Sequence, residues 1–249
     1  MATSPAVRFL GCGDAFGNGG RYNTCFWVRR DPAAPFLIDC GASSLVAMKR
    51  FGVDPNAIAT VFLTHLHGDH FGGLVFLLRE ATLFRHRRAP LTIAGPLGTE
   101  DRLRIALEAF FPGGWTVPRD FDLRFVALQA GTTASVDGVH VTPFPAKHGS
   151  GAPSLSLRLD VDGHVIAYTG DTGWLDSLID VGRDADLFIC EAYTPDQAFP
   201  HHLGLSTIRQ KLAAIRPKRI ILTHLGAEML RQRDAIDLPV AEDGLTVAF

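Results

Sequence analysis

Cysteine is scarce in this chain, with four among 249 residues, at Cys12, Cys25, Cys40 and Cys190. They are widely spaced, and no pair has C-x-x-C spacing. That excludes a small disulfide-stapled fold and argues against a cysteine zinc site. They read as buried free thiols in a reducing compartment. No apolar run approaches the roughly 18 residues that a membrane-crossing helix needs, so no membrane partner is expected. The opening residues Met1 to Ala6 lack a basic start and an apolar segment, so no signal peptide and a cytoplasmic location are expected. An excess of one charge is also missing. The formal net charge is −2, which disfavours generic nucleic-acid binding. Low-complexity segments and obvious linkers are absent.

What remains is the composition of an ordinary globular protein, 47% hydrophobic and 20% charged,. A chain of this length buries about 70–75% of its unfolded surface. One domain over residues 1–249 is the expectation. The local basic group Arg79, Arg85, His86, Arg87 and Arg88 reads as the solvated end of a helix. The glycine-rich stretch from Gly11 to Gly20 lacks the G-x-G-x-x-G order and the lysine of a P-loop, and reads as a tight loop.

The densest signal is His65-Leu66-His67-Gly68-Asp69-His70. It follows directly on the apolar run Ala59-Thr60-Val61-Phe62-Leu63. Imidazole and carboxylate are the ligands that borderline divalent metals prefer. A strand ending in such a cluster holds its ligands on a rigid support. His148, Asp171 and His224 each lie just past another apolar, β-branched run, where strands become loops. Taken singly, each is a common turn residue. Together the seven make one constellation at strand ends. His86, His140 and His164 have no such context and read as structural.

These motifs resemble the metallo-β-lactamase superfamily of binuclear metallohydrolases. His65 to His70 matches its H-x-H-x-D-H motif without departure. His148, Asp171 and His224 match its later motifs in order, and Asp39 matches an early aspartate that supports the metal loop. The resemblance runs from Phe9 to about Met229. It is closest to the ribonuclease Z-like and cyclic-phosphate phosphodiesterase-like branch, through Leu10 to Phe16 with Asn23, Lys147-His148-Gly149, and His202.

The resemblance implies an α/β fold, a four-layer αβ/βα sandwich with the metal site on the shared edge of two sheets. The similar units at 60–66 and 219–225 would hold corresponding places in two halves. Strands are expected over 7–10, 24–28, 36–38, 59–63, 91–94, 123–127, 139–143, 154–159, 164–169, 187–191, 219–223 and 245–247. Helices are expected over 43–51, 71–84, 98–110, 206–215 and 228–233.

It also implies two divalent ions, zinc first, with manganese or iron as alternatives. His65, His67 and His148 would hold one, Asp69, His70 and His224 the other, with Asp171 between them. Two such ions about 3.5–4 Å apart activate a shared water. Asp69 has a second expected task, orienting that water. His202 either assists the leaving group, with Glu191 orienting it, or caps the following helix. His201 is expected to face solvent.

The leading functional reading is a phosphodiesterase for a small or cyclic phosphodiester. The runner-up is a lactonase or thioesterase. A tRNA 3′-processing nuclease is disfavoured. The branch usually inserts a long basic arm between its third and fourth ligand motifs, and here only 22 residues separate His148 from Asp171. RNA is thus a disfavoured partner and a small molecule the expected one. Antibiotic β-lactamase activity and a catalytically silent binding module rank last. A homodimer is implied by analogy alone. Substrate choice is assigned to loops at 16–22, 110–120 and 193–201.

Overall fold

The computed structural model describes residues 5–248. Met1 to Ser4, most of the stretch read above for a signal peptide, lie outside the described residues. The first part forms β1 (Ala6–Gly11), β2 (Cys25–Arg29), β3 (Phe36–Ile38), α1 (Ser44–Arg50), β4 (Thr60–Phe62), α2 (Gly68–Phe71), α3 (Gly73–Leu83), β5 (Leu91–Pro96), α4 (Thr99–Phe110) and β6 (Leu123–Leu128). The second forms β7 (Ala134–Val136), β8 (Val139–Pro145), β9 (Leu155–Val161), β10 (His164–Tyr168), α5 (Ser177–Gly182), β11 (Leu187–Glu191), α6 (Leu205–Ile215), β12 (Ile220–Thr223), α7 (Ala227–Arg231) and β13 (Thr246–Ala248).

One sheet has the strand order β13-β1-β2-β3-β4-β5-β6 and the other β12-β11-β10-β9-β8-β7. Strands β3 to β5 are buried on both faces, which is why their sequences are apolar runs without alternation,. Three apolar clusters fill the three spaces between four layers. The first lies between the sheets, where Phe26 of β2 meets Tyr168 of β10 at 5.0 Å. The second packs the outer face of the seven-stranded sheet against α1, α3 and α4, with Leu37, Val61 and Leu63 facing Leu74, Leu77 and Leu103. The third packs Ala167, Phe188 and Leu222 against Leu178, Ile208 and Ile215 of α5 and α6. This is the αβ/βα sandwich. No helix among the described residues is long and apolar enough to cross a membrane.

Within each sheet the pairings run antiparallel, antiparallel, parallel, parallel. They do so from β1 to β5 and again from β8 to β12. That pattern equates β4 with β11 and β5 with β12. The similar units at 60–66 and 219–225 therefore stand one strand apart, not in corresponding places. The sequence reading also missed β7, α2 and α5. The tip of the β7–β8 hairpin is Asp137-Gly138, both at positive φ, the two-residue turn that favours Asp-Gly,.

The basic group departs from a solvated helix end at one position. Arg87 is 3% exposed, and its guanidinium donates to the carbonyls of Ala89, Asn56, Ile58 and Pro90. It ties the approach to β4 to the approach to β5. A planar five-donor fork does this where a flexible point charge could not.

Residues 241–245 strap the N-terminal segment. The Asp243 carboxylate accepts from the backbone N–H groups of Cys12 (3.0 Å) and Tyr22 (2.8 Å), and Arg21 donates to the Ala241 carbonyl (3.1 Å). Beyond them β13 pairs with β1.

Two expected outcomes follow from this packing. Arg87→Met leaves several buried carbonyls without donors and should destabilise the fold by about 2–4 kcal/mol in urea unfolding. A change under about 0.5 kcal/mol would contradict the role assigned to it. All four cysteines are free and buried, and burial pushes the Cys25 thiol up to about 12. A thiol-specific chromogenic reagent should label none of the four in the native protein and all four after unfolding. Rapid native labelling of any would show that its segment opens.

Candidate metal centre

Strand ends build the site. Asp39 follows β3, Thr64 to His70 follow β4, Asp171 follows β10, Glu191 ends β11 and His224 follows β12. In each sheet these strands run parallel to one another, β3 with β4 and β10 with β11 and β12, so their carboxyl ends point at one edge,. His148 reaches the same edge three residues past β8.

The loop carrying the first cluster is seated on Asp39 to Ala42. Cys40 N–H donates to the His70 carbonyl, Ala42 N–H to the Gly68 carbonyl and Gly73 N–H to the Cys40 carbonyl. A Cβ on Gly41 would stand 2.1 Å from the Asp69 carbonyl oxygen, so only glycine admits the loop this closely,. Asp39 is fully buried, with φ of 57°. Its carboxylate accepts from Thr64 N–H and Thr64 Oγ1, each at 2.8 Å, and pairs with His70 Nδ1 at 2.7 Å.

The fold gathers all seven candidate ligands into two groups. His65, His67 and His148 form one, and Asp69, His70, Asp171 and His224 the other. Within each, the donor atoms lie within 4.8 Å of one another. Asp171 sits between the groups. Its Oδ1 is 3.3 Å from His70 Nε2, and its Oδ2 is 3.2 Å from His224 Nε2 and 3.9 Å from both His65 Nε2 and His148 Nε2.

Outer partners fix which ring nitrogen is free. Asp39 engages His70 Nδ1, Thr64 Oγ1 lies 3.1 Å from His65 Nδ1, the His201 carbonyl accepts from His148 Nδ1 at 3.1 Å, and Thr24 Oγ1 lies 3.5 Å from His224 Nδ1. Each leaves Nε2 turned to the centre, the arrangement that orients metal-binding imidazoles.

Two features of this structure fit a cation. The buried atoms His65 Nε2, His70 Nε2 and Asp171 Oδ1 have no hydrogen-bond partner among the described residues. Orphaned polar atoms in a buried site are costly unless something binds them. The protonation states fit as well. Burial holds His65, His148 and His224 below the usual histidine value. Burial opposes ionisation of Asp69 and Asp171, yet the surrounding imidazoles outweigh it and hold both carboxyls below the usual range. Neutral imidazole and ionised carboxylate are the forms that bind metal. His70 is the exception. Burial would lower it, but Asp171, Asp69 and Asp39 raise it well above its ordinary value, which marks how much negative charge converges there.

A third grouping, Asp171, Glu191, His202 and His224, also has metal-like spacing. Glu191 is already committed, however. One carboxylate oxygen accepts from Thr172 N–H and, at 3.3 Å, Leu203 N–H. The other pairs with His202 Nδ1 at 2.9 Å. Burial, then the Asp171 charge, push the Glu191 carboxyl up to about 8. Burial works against the His202 imidazolium, but the bond to Glu191 outweighs it and raises His202. The pair therefore holds its shared proton firmly. His202 does not cap the next helix: Gly204 stands at that position, and α6 begins at Leu205.

Asp69, His67, His148, Asp171, His202 and His224 line a cleft of about 180 Å³. His201 is exposed beside it. Phe16 and Tyr193 open two of the loops expected to choose substrate, but sequence reasoning gave neither ring a role of its own. Tyr193 stacks on His202 at 4.6 Å, and Phe16 stands at the rim. Tyr193 lies two residues past β11, on the strand end that delivers Glu191, and that position was its available signal. Of the loops expected to choose substrate, 16–22 and 193–201 reach this cleft. No described residue of 110–120 lines it. Nor do His86, His140 or His164.

Residues 35–225 match the family model described as a beta-lactamase superfamily domain. Ribonuclease Z of Methanothermobacter thermautotrophicus is 28% identical over 97% of this chain and 95% of its own length. Ribonuclease Z of Mycobacterium bovis is 31% identical over 74% of this chain and 68% of its own. The crystal structure of human tRNase Z, short form, shares the fold at TM-score 0.78 and 24% identity, covering 98% of both chains. A diphosphatase from the PhnP family shares it at TM-score 0.78 and 19% identity, again over 98% of each. With its gathered histidines and aspartates and its four-layer sandwich, the chain belongs to the metallo-β-lactamase superfamily of hydrolases, in the ribonuclease Z-like branch.

Proposed function

We propose that the chain works as one hydrolase domain, a binuclear metal-dependent phosphodiesterase acting on a small or cyclic phosphodiester. The observation that carries this reading is the Glu191–His202 pair set beside the candidate ligands. His202 packs against His148 and lies parallel to His224, at ring distances of 4.9 and 6.0 Å. With Nδ1 tied to Glu191, its Nε2 is free to give a proton to an oxygen leaving from a phosphorus centre.

His65, His67 and His148 would hold one ion, and Asp69, His70 and His224 the other, with Asp171 facing both. An imidazole-rich set with few carboxylates suits zinc, ahead of manganese or iron. Two such ions supply, when bound, a water acidic enough to attack at neutral pH and Lewis-acid contacts for phosphoryl oxygens. Asp69, on the cleft, would accept a hydrogen bond from the attacking water and fix its direction. Glu191 holds His202 in the donating tautomer. Tyr193 stacks on the His202 ring and restricts its rotation.

Two observations favour a small substrate over a tRNA precursor. Between His148 and Asp171 the chain builds only the β9–β10 hairpin, closed at Asp162-Gly163, with no arm to grip a folded RNA. The cleft is also small. The names of the Ribonuclease Z relatives favour the RNA reading. Assay of a tRNA precursor belongs beside the small diesters for that reason. A lactonase or thioesterase would have less use for a buried Glu–His proton donor, since the shared metal chemistry already suffices for carbonyl attack.

The direct test is hydrolysis of bis(p-nitrophenyl) phosphate beside a lactone and a thioester, with protein of measured metal content. Metal-dependent cleavage of the diester is expected. Cleavage of the carbonyl substrates alone would overturn the reading. Asp171→Ala should abolish turnover and leave less than one equivalent of metal, read by elemental analysis. Two retained equivalents would show that Asp171 is not the shared ligand. His202→Ala should lower kcat for the diester by about 10²- to 10⁴-fold with metal content unchanged. Undiminished turnover would remove His202 from the chemistry.

A further inference from the structure

One apolar side chain near the cleft is not explained by the fold. Phe16 is 81% exposed, yet it lines the same cleft as His67, Asp69, His148 and His202. Single exposed apolar residues are common on protein surfaces. This one differs in how it is held. Asp14 is fully buried, and its carboxylate accepts from Phe16 N–H at 3.3 Å, Asn18 N–H at 3.0 Å and Asn18 Nδ2 at 2.6 Å. The Asp14 carbonyl accepts from Asn23 Nδ2 at 3.0 Å. The turn is braced from inside while its aromatic tip is left in water at the mouth of a polar site.

The cleft volume sharpens the point. About 180 Å³ is below the roughly 300–1,000 Å³ of sites that enclose a whole drug-sized ligand. A phosphodiester group fits among the imidazoles and carboxylates, but the larger substituent of a nucleotide-sized diester must lie outside, over the rim. The rim there offers no cation and no hydrogen-bonding side chain from residue 16. It offers an aromatic face, with Tyr193 also lining the cleft.

We infer that Phe16 is a specificity-determining residue, whose ring stacks on a planar aromatic substituent of the substrate's phosphodiester, a nucleobase or an aryl group. This rests on the phosphodiesterase reading and adds the class of diester. Stacking tolerates any planar partner because each presents a π-face. Phe16 therefore selects for flatness rather than for a particular base.

The test compares three diesters on the metal-loaded protein: cytidine 2′,3′-cyclic phosphate, diphenyl phosphate and glycerol 1,2-cyclic phosphate. The first two carry a planar group and the third carries none. Monoester formation is followed by phosphorus NMR, and the readout is the ratio of kcat/KM for each planar diester to that for the glycerol diester. Phe16→Ala should lower at least one ratio by about 5- to 100-fold, the range of one stacked base. Phe16→Trp should keep it within about threefold of the parent, since tryptophan presents a larger face. A fall in the cytidine ratio alone assigns a nucleobase, and a fall in the diphenyl ratio alone an aryl group. If the parent cleaves the diesters but neither ratio moves with Phe16→Ala, the inference fails and the phosphodiesterase reading stands. If the parent cleaves none of the three while a lactone or thioester is hydrolysed, the phosphodiesterase reading fails and takes the inference with it.

Discussion

The Asp39 carboxylate is the interaction on which the rest of the site depends. It is buried at the end of one strand and binds the backbone and hydroxyl of Thr64 at the end of the next, and the ring of His70 one turn later. Three separate pieces of chain are fixed by two oxygen atoms. The arrangement resists ionisation by burial, and the His70 imidazole and the Thr64 donors work against that resistance. A group so placed is worth more as a brace than its individual hydrogen bonds suggest. Removing it would leave a buried amide and a buried imidazole nitrogen unpaired.

The same logic extends outward. Each of His65, His70, His148 and His224 has a partner on its outer nitrogen, supplied by a threonine, a carboxylate or a backbone carbonyl. Each free nitrogen is then aimed before any ion arrives. The ligands come from both sheets: His65 to His70 from the seven-stranded one, and His148, Asp171 and His224 from the six-stranded one. The centre is thus a joint between the two sheets. Its charge balance explains why Glu191 and His202 sit one shell away. There the Glu191 carboxylate is saturated by the backbone amides of Thr172 and Leu203 and by the His202 imidazole.

Much of this was legible in the chain. The central strands are short apolar runs, and a residue such as His65 directly after one of them lands at a sheet edge by geometry alone. The sequence sets Asp69 and His70 where the chain enters a helix, though not on a short helix of their own. What escaped was either too short to show a period, such as α2, α5 and β7, or decided by tertiary contacts. Arg87 illustrates the second kind. In sequence it is one of four arginines near a helix end, and only the approach of residues 55–58 to residues 89–90 turns it inward,. Tyr193 and Phe16 are similar. The loops that begin with them, 16–22 and 193–201, are legible as candidates to choose substrate, but nothing in Glu191-Ala192-Tyr193 or Asp14-Ala15-Phe16 says that the two rings will face one cleft. The likeness of the units around His65 and His224 misled for a related reason. Strand composition repeats more readily than strand position, and the hydrogen-bond ladders, not the residues, reveal which strands correspond.

The strap formed by residues 241–245 has a consequence for how the molecule assembles. The loop that presents Phe16 leans on a segment from the far end of the chain, through Asp243 on Cys12 and Tyr22 and through Ala241 on Arg21. Closing a loop of that length is entropically expensive, and pairings so distant in sequence belong to the slow part of folding. On a ribosome the segment around Cys12 to Tyr22 emerges well before its brace at residues 241–245. The imidazole and carboxylate cluster, bounded by His65 and His224, is complete in the nascent chain before the rim is set. Construction therefore runs from the gathered imidazoles and carboxylates outward to the rim that overlooks them.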